Sequence, residues 1–290
     1  MVLCPDCMTS LPELARCPSC GWQPEFRDGV PILLSRSDRD SQAFATYAEN
    51  YDRIAHDDLS QSIQPARYLE VQADTLCSYL GNLARLDVCE LGVGRGLLLD
   101  RLLASDAKTV TGVDVSLPYL TRYVEAASES GERLRLAVAN AELLPYAEAF
   151  DLVVASEILE HVLNAGDFLI SLHRSLRPGA RALVRVPYKE DLRQYARQNG
   201  CEYRFVHLRT FTRDSLESMM RTAGFKTVRV YFDGQFGARL RRPMRSLYPL
   251  LRPYLQRVLD PQGMPRRPLR GVVPQLFFQP VTLTGIFERT

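Results

Sequence analysis

No apolar run in the 290-residue sequence approaches the ~18 residues needed to cross a bilayer, and the start, Met1-Val2-Leu3-Cys4-Pro5-Asp6, lacks the basic-then-apolar pattern of a secretion signal. The expected setting is cytoplasmic, with peripheral contact to a membrane left open. Excess charge is also missing: Lys+Arg 36 against Asp+Glu 34 leaves +2, so any electrostatic message has to be local. The seven cysteines are an odd number, which without a secretion signal argues against a disulfide framework. At 46% hydrophobic and 24% charged the composition is that of a globular chain, which excludes fibrous and wholly disordered readings. The length suits roughly one or two domains.

Four of the cysteines crowd the first twenty residues as two knuckles, Cys4-Pro5-Asp6-Cys7 and Cys17-Pro18-Ser19-Cys20, the second followed by Gly21. Each knuckle puts two thiolates on one tight turn, and two facing turns complete a tetrahedron, the pattern of a structural zinc ribbon. A redox or iron–sulfur role and free thiols are the alternatives. So short a segment cannot bury enough apolar surface to fold alone, so bound metal would supply the folding free energy. Ser35 to Ser41, with alternating Arg and Asp, reads as a solvated linker.

Helical patterns then cover Gln42 to Ala55 and Gln64 to Asn82, and five apolar runs alternate with further helical stretches. The runs are Leu86–Leu91, Thr109–Asp114, Leu134–Ala139, Phe150–Ala155 and Arg181–Pro187. Such alternation implies a parallel sheet with helices on both faces, an α/β Rossmann-like doubly wound fold that binds ligands at the carboxyl ends of its strands. The first run leads through Glu90-Leu91-Gly92-Val93-Gly94-Arg95-Gly96 directly into the helical Leu97–Leu103. A glycine-rich strand-to-helix turn lets a ligand approach the backbone. Asp114 ends the second run about twenty residues on, where a carboxylate accepts ribose hydroxyls, so the ligand is expected to contain a nucleoside.

Two resemblances follow from these stretches. Residues 2–34, with the tail Asp28-Gly29-Val30-Pro31-Ile32-Leu33-Leu34, resemble the small zinc-ribbon proteins related to the activator subunit of tRNA and protein methyltransferases. Residues 42–233 and the last strand resemble a class I S-adenosylmethionine-dependent methyltransferase. Besides the glycine turn and Asp114, the resemblance rests on three stretches: Asn140-Ala141-Glu142-Leu143-Leu144-Pro145-Tyr146, the run Phe150 to Val162, and Leu176-Arg177-Pro178-Gly179-Ala180. It implies seven strands with the last antiparallel. The implied division is a zinc ribbon over 1–34 (metal ligands Cys4, Cys7, Cys17, Cys20), a linker over 35–41 and a methyltransferase domain over 42–290.

The same resemblance implies a cofactor site of Tyr51, Glu90, Gly92, Gly94, Gly96, Asp114, Asn140, Ala141, Glu142 and Ser156, with Tyr47 and Tyr51 in a lid over its methionine end. The family's adenine-contacting aspartate falls at Asn140, whose amide oxygen can still accept but carries no charge. For Tyr47 and Tyr51, four residues apart, a plain buried helix face is an equal reading.

Methyl transfer is an in-line displacement at a sulfonium, so alignment and removal of a proton are the enzyme's tasks. Candidate bases are His161, after the fourth run, and His207, which resembles a family histidine over the substrate side of the pocket; on a helix Glu157 and His161 would share a face, and a packing or hydrogen-bonding role is the other reading of His161. Glu157, Glu160, His161 and His207 together suggest a magnesium or manganese site, as in family O-methyltransferases with a Glu-x-x-Glu-His run. The Asn/Asp-Pro-Pro-aromatic tetrapeptide of amino-group enzymes is absent, Ala155-Ser156-Glu157-Ile158 standing in its place. Cys201 lacks the Pro-Cys context of pyrimidine-carbon enzymes, while Cys77 and Cys89 read as small core residues. Methylation of oxygen is thereby favoured, with carbon on an activated ring and purine nitrogen left open, and the preferred acceptor is a saccharide, lipid-linked or small-metabolite hydroxyl. RNA methylation and a non-catalytic adaptor remain the alternatives.

A stretch from Asp233 to Pro280 interrupts the end of the domain. It carries Arg239, Arg241, Arg242, Arg245, Arg252, Arg257, Arg266, Arg267 and Arg270 against Asp233 and Asp260. Met244, Leu247, Leu251, Tyr254, Leu255 and Val258 recur at helical spacing, with Pro249 and Pro253 expected to kink or break the helix. A lid over the acceptor, an anionic membrane contact and RNA contact are the three readings. No DNA partner is expected, and the oligomeric state is left open.

Overall fold

The computed structural model describes residues 1–12, 14–62, 64–192, 207–234, 242–259 and 277–290. Cys201 and Arg239, Arg241, Arg266, Arg267 and Arg270 lie outside the described residues. The chain begins with β1 (Val2–Leu3), β2 (Ser10–Leu11), β3 (Glu25–Arg27) and β4 (Val30–Ile32), then α1 (Arg36–Asp40), α2 (Gln42–Ser60) and α3 (Ala66–Leu80). Alternation follows as β5 (Asp87–Leu91), α4 (Leu97–Leu103), β6 (Thr109–Asp114), α5 (Leu117–Thr121), α6 (Val124–Glu129), β7 (Leu134–Val138) and β8 (Phe150–Ser156). The rest is α7 (Ala165–Ser175), β9 (Leu176–Pro187), α8 (Arg213–Thr222), β10 (Phe225–Asp233), α9 (Arg242–Arg245), α10 (Tyr248–Val258) and β11 (Thr282–Arg289).

The main sheet runs β10-β11-β9-β8-β5-β6-β7-β4-β3. From β9 through β8, β5, β6 and β7 to β4 every pairing is parallel, and β11 enters antiparallel between β9 and β10. The sequence implied seven strands with the last antiparallel; the first segment adds β4 and β3 beyond β7 through the parallel pair Ile32–Val138. Strand alternation sends Cys89 and Leu91 into the core shared with Phe168 and Leu172 of α7 and Met220 of α8. Val88 packs on the other face with Leu76 of α3, Leu99 of α4 and Leu120 of α5. Glu90, one residue from Leu91, shares the α3 side with Val88.

Within residues 35–41, expected as a solvated linker, Arg36–Asp40 form the short, solvent-facing helix α1. The buried Ser35 caps it reciprocally with Asp38, a capping box of about 1 kcal/mol. A correction concerns Glu157 to His161, expected on a helix. Glu157 has a φ of 58° and the segment is a turn, closed by the His161 and Val162 N–H groups donating to Ile158 O. In the basic stretch the chain breaks between α9 and α10 at Ser246 and Leu247, with Pro249 in the first turn of α10 and Pro253 inside it.

Candidate active site

β5 ends at Leu91, and the chain turns through Gly92, Gly94 and Gly96 before α4 begins. At Gly96 a φ of 78° and the Tyr123 hydroxyl, which a Cβ would overlap, both exclude a side chain. A Cβ at Gly94 would meet nothing within 4 Å, because this residue borders open space. That space is a cavity of about 720 Å³ at the carboxyl ends of β5, β6, β7 and β8, large enough for a cofactor with part of an acceptor.

Tyr51, Glu90, Gly92, Gly94, Gly96, Asp114, Asn140, Ala141, Ser156, His161 and His207 all line this cavity. Glu142 does not; its carboxylate accepts from the Leu163 N–H at 2.7 Å. Asp114 accepts from the Gly94 N–H at 3.1 Å and the Ser116 N–H at 2.9 Å, which ties the end of β6 to the glycine turn. Burial outweighs these bonds and pushes its carboxyl up to about 6. Glu90 is also buried, and its Oε2 has no hydrogen-bond partner among the described residues. Burial first, and then the charges of Asp114 and Asp100, hold its carboxyl well above the usual range. A cationic ligand would give Glu90 the partner it lacks. Bare backbone, a strand-end carboxylate and this acid fit S-adenosylmethionine, whose sulfonium and ammonium carry positive charge.

The far end of the cavity is built from rings and acids. Tyr47 and Tyr51 of α2 lie 4.8 Å apart between centroids, and Tyr51 meets His161 edge-on at 5.9 Å. His161 in turn meets His207 edge-on at 4.7 Å, and His207 Nδ1 is hydrogen-bonded to Glu190. Glu160 is fully buried with Oε1 3.7 Å from His161 Nε2, and neither of its oxygens has a hydrogen-bond partner among the described residues. The ligand atoms of Glu160, His161 and His207 lie within 4.8 Å of one another. Glu157, the fourth member of the expected ion site, neighbours Glu160 but falls outside this close group: its Oε1 is 3.3 Å from the buried Arg185, which also faces Asp233 and Thr282. Burial raises the carboxyls of both Glu157 and Glu160.

Sequence reasoning missed the wall made by α3. Tyr68, Leu69, Gln72, Ala73 and Leu76 line the cavity at spacings of one, three and four residues. The helical period was visible there, but an amphipathic helix that lines a cavity reads like one that packs on a core. Asp58, Glu190 and Thr282 also line it and were not singled out. At the other end of the chain, the sulfurs of Cys4 and Cys20 are 3.5 Å apart and those of Cys7 and Cys17 3.6 Å. Ligand atoms of all four lie within 4.8 Å of one another, a spacing that suits tetrahedral thiolate ligation.

A doubly wound sheet with an antiparallel penultimate position and a glycine-turn cavity defines the Rossmann-like methyltransferase fold. Among solved structures it is shared by the 1,6-didemethyltoxoflavin-N1-methyltransferase of Burkholderia thailandensis with S-adenosylhomocysteine bound. That match is 20% identical, with a TM-score of 0.56, over 86% of this chain and 89% of that one. A chain of the complex between a Haloferax volcanii methyltransferase activator and a methyltransferase matches at 16% identity and a TM-score of 0.55, over 84% and 96%. A model of the methyltransferase domain matches residues 39–230, and the chain belongs to this family. Its domain is that of an S-adenosylmethionine-dependent methyltransferase.

Curated relatives include a ubiquinone biosynthesis O-methyltransferase of Rickettsia canadensis, 24% identical over 47% of this chain and 60% of its own length. A tRNA U34 carboxymethyltransferase of Pseudoalteromonas atlantica is 31% identical over 49% and 45%. The chain thus spans about half the length of the curated relatives it matches.

Proposed function

We propose that the protein transfers the methyl group of S-adenosylmethionine to a hydroxyl of a saccharide, lipid-linked or small-metabolite acceptor. The observation that carries this reading is one cavity with the glycine turn and Asp114 at one end and two edge-on imidazoles at the other. When bound, the cofactor supplies an electrophilic methyl on a sulfonium. Asp114 would accept from the ribose hydroxyls, Glu90 would face the positive charge, and Tyr47 and Tyr51 would exclude water over the methionine end. The Glu190 carboxylate takes the Nδ1–H of His207, the tautomer in which Nε2 accepts a proton. In that tautomer His207 would take the proton from the acceptor hydroxyl at its Nε2, with the resulting imidazolium held by Glu190. The relative named as an O-methyltransferase supports oxygen as the methylated atom.

The test joins calorimetry with S-adenosylhomocysteine to a methyl-transfer assay over saccharide, lipid and RNA pools. His207→Ala should lower kcat about 10²–10⁴-fold with cofactor affinity unchanged. Activity confined to RNA would favour the other curated relative, and a chain that binds no cofactor would be an adaptor. Glu160, buried beside two imidazoles and Glu157, supports a second reading in which a divalent ion orients the acceptor hydroxyl. Activity lost on chelation, restored by magnesium or manganese and insensitive to both in Glu160→Gln would establish it.

The four-cysteine cluster is read as a structural zinc site. Acceptor access is read at α10. Leu251, Leu255 and Val258 pack towards Phe277 and Phe278, while Leu247, Leu250 and Tyr254 are exposed, Leu250 by 79%. Arg245, Arg252 and Arg257 are exposed beside them. An uncovered apolar flank bordered by cations complements an anionic membrane surface, which would present a lipid-linked acceptor.

A further inference from the structure

Asn140 caps the short turn Ala141–Leu143 at the adenine end of the cavity, and its amide is engaged on both sides. Oδ1 accepts the Glu142 N–H at 2.9 Å, and Nδ2 donates to Asp38 Oδ1 at 2.8 Å, 102 residues away in sequence. Asp38 is itself fixed: its Oδ2 accepts from the Ser35 N–H at 3.1 Å and the Ser35 hydroxyl at 2.7 Å. The next residue of the same helix start, Arg36, donates its N–H to Asp6 of the first cysteine knuckle at 2.7 Å and a guanidinium N–H to Cys20 O at 3.2 Å. A chain of polar contacts thus runs from the cysteine cluster through α1 to a residue of the cofactor cavity.

A terminal amide has two orientations of nearly equal shape and opposite hydrogen-bonding sense. Turned over, Asn140 would set its NH2 against the Glu142 N–H and its oxygen against the Asp38 carboxylate, exchanging two hydrogen bonds for two repulsions. Without Asp38, one of the two constraints is gone. We infer that Asp38 is a positioning residue for cofactor recognition: by holding the Asn140 amide in one sense, it makes this end of the cavity accept an amino group and reject a carbonyl at the six-position of the purine. This rests on the reading of the cavity as a nucleoside site. The charge that the family carries at position 140 is here displaced onto α1, one hydrogen bond behind the amide.

The test is calorimetric titration of the full chain with S-adenosylhomocysteine and with its deaminated form, S-inosylhomocysteine, each variant's melting temperature being taken alongside. Wild type should prefer the adenosyl ligand by roughly tenfold or more, the scale of one hydrogen bond made against one left unpaired. Asp38→Asn keeps an oxygen for Ser35 but turns an NH2 towards Asn140, so the preference should shrink or reverse. Asn140→Asp brings two carboxylates together and should weaken the adenosyl ligand. Exchanging both, Asp38→Asn with Asn140→Asp, should restore adenosyl affinity to within about threefold of wild type, the pair being coupled. Equal loss on both ligands in Asp38→Asn would reduce the residue to a structural role, and a double variant no better than Asn140→Asp would overturn the coupling. Binding of neither ligand by wild type would overturn the nucleoside reading and this inference with it.

Discussion

Asp114 is the residue whose chemistry is most exposed to test. Its carboxyl, pushed up to about 6 by burial against an unfolded value near 3.9, holds its proton more tightly in the folded free protein than in the unfolded chain. This group therefore favours folding increasingly as pH falls from about 6 towards 4. In its proposed role Asp114 would hold the ribose in the ionised form, so S-adenosylhomocysteine affinity should fall over the same window. Calorimetry against pH, set beside thermal melts, checks both slopes. Asp114→Ala should cost roughly 1.5–3 kcal/mol of cofactor binding near neutral pH, as for a lost charged hydrogen bond. Asp114 was legible in the sequence because strand end and glycine turn stand a fixed distance apart. Asp38 was not, because its partner Asn140 lies 102 residues away and nothing local marks the contact.

At the scale of elements, the strands from β5 to β9 were read to within a residue or two, apart from the earlier start of β9 at Leu176, because near-continuous apolar runs mark strands buried on both faces. α1 escaped notice: five polar residues carry no apolar period, and its stability comes from Ser35 and Asp38 reaching across its first turn. The helical expectation for Glu157 to His161 followed a sound spacing rule, but the positive φ at Glu157 redirects the chain as it leaves β8. α10 combines Leu250, exposed by 79%, with Arg252 and Arg257. Vesicles containing phosphatidylglycerol should bind the protein at low salt and release it at high salt, as screening predicts, while phosphatidylcholine vesicles should not. Leu250→Glu should remove vesicle binding without changing cofactor affinity, and co-sedimentation reads both salt arms.

For the whole molecule, the cysteine segment is continuous with the methyltransferase core. Cys4, Leu11, Cys17, Trp22 and Leu33 belong to the same apolar cluster as Leu144, Tyr146 and Phe168. The Leu33 N–H donates to Val138 O at 2.8 Å and the Leu3 N–H to Pro145 O at 2.8 Å, on either side of the Asn140 turn. Protein purified without chelator should carry about one zinc per chain, as four thiolates imply. Stripping it should lower the melting temperature and weaken S-adenosylhomocysteine binding together, measured by metal analysis, melts and calorimetry. The sequence displayed the ribbon and the catalytic fold as neighbours; their shared sheet depends on the single pair Ile32–Val138, which no local pattern announces. That pairing also decides how the sheet ends. β4 meets β7 only at Val138, so it closes the carboxyl end of that strand's outer edge, the end beside the cavity. At that end the border is a three-residue strand carrying Glu25 and Arg27, backed by Pro31, which has no N–H to give. The first segment thus blunts one end of an open strand edge, and a chain begun at Ser35 should self-associate more readily than the full chain, as light scattering at matched concentrations would read.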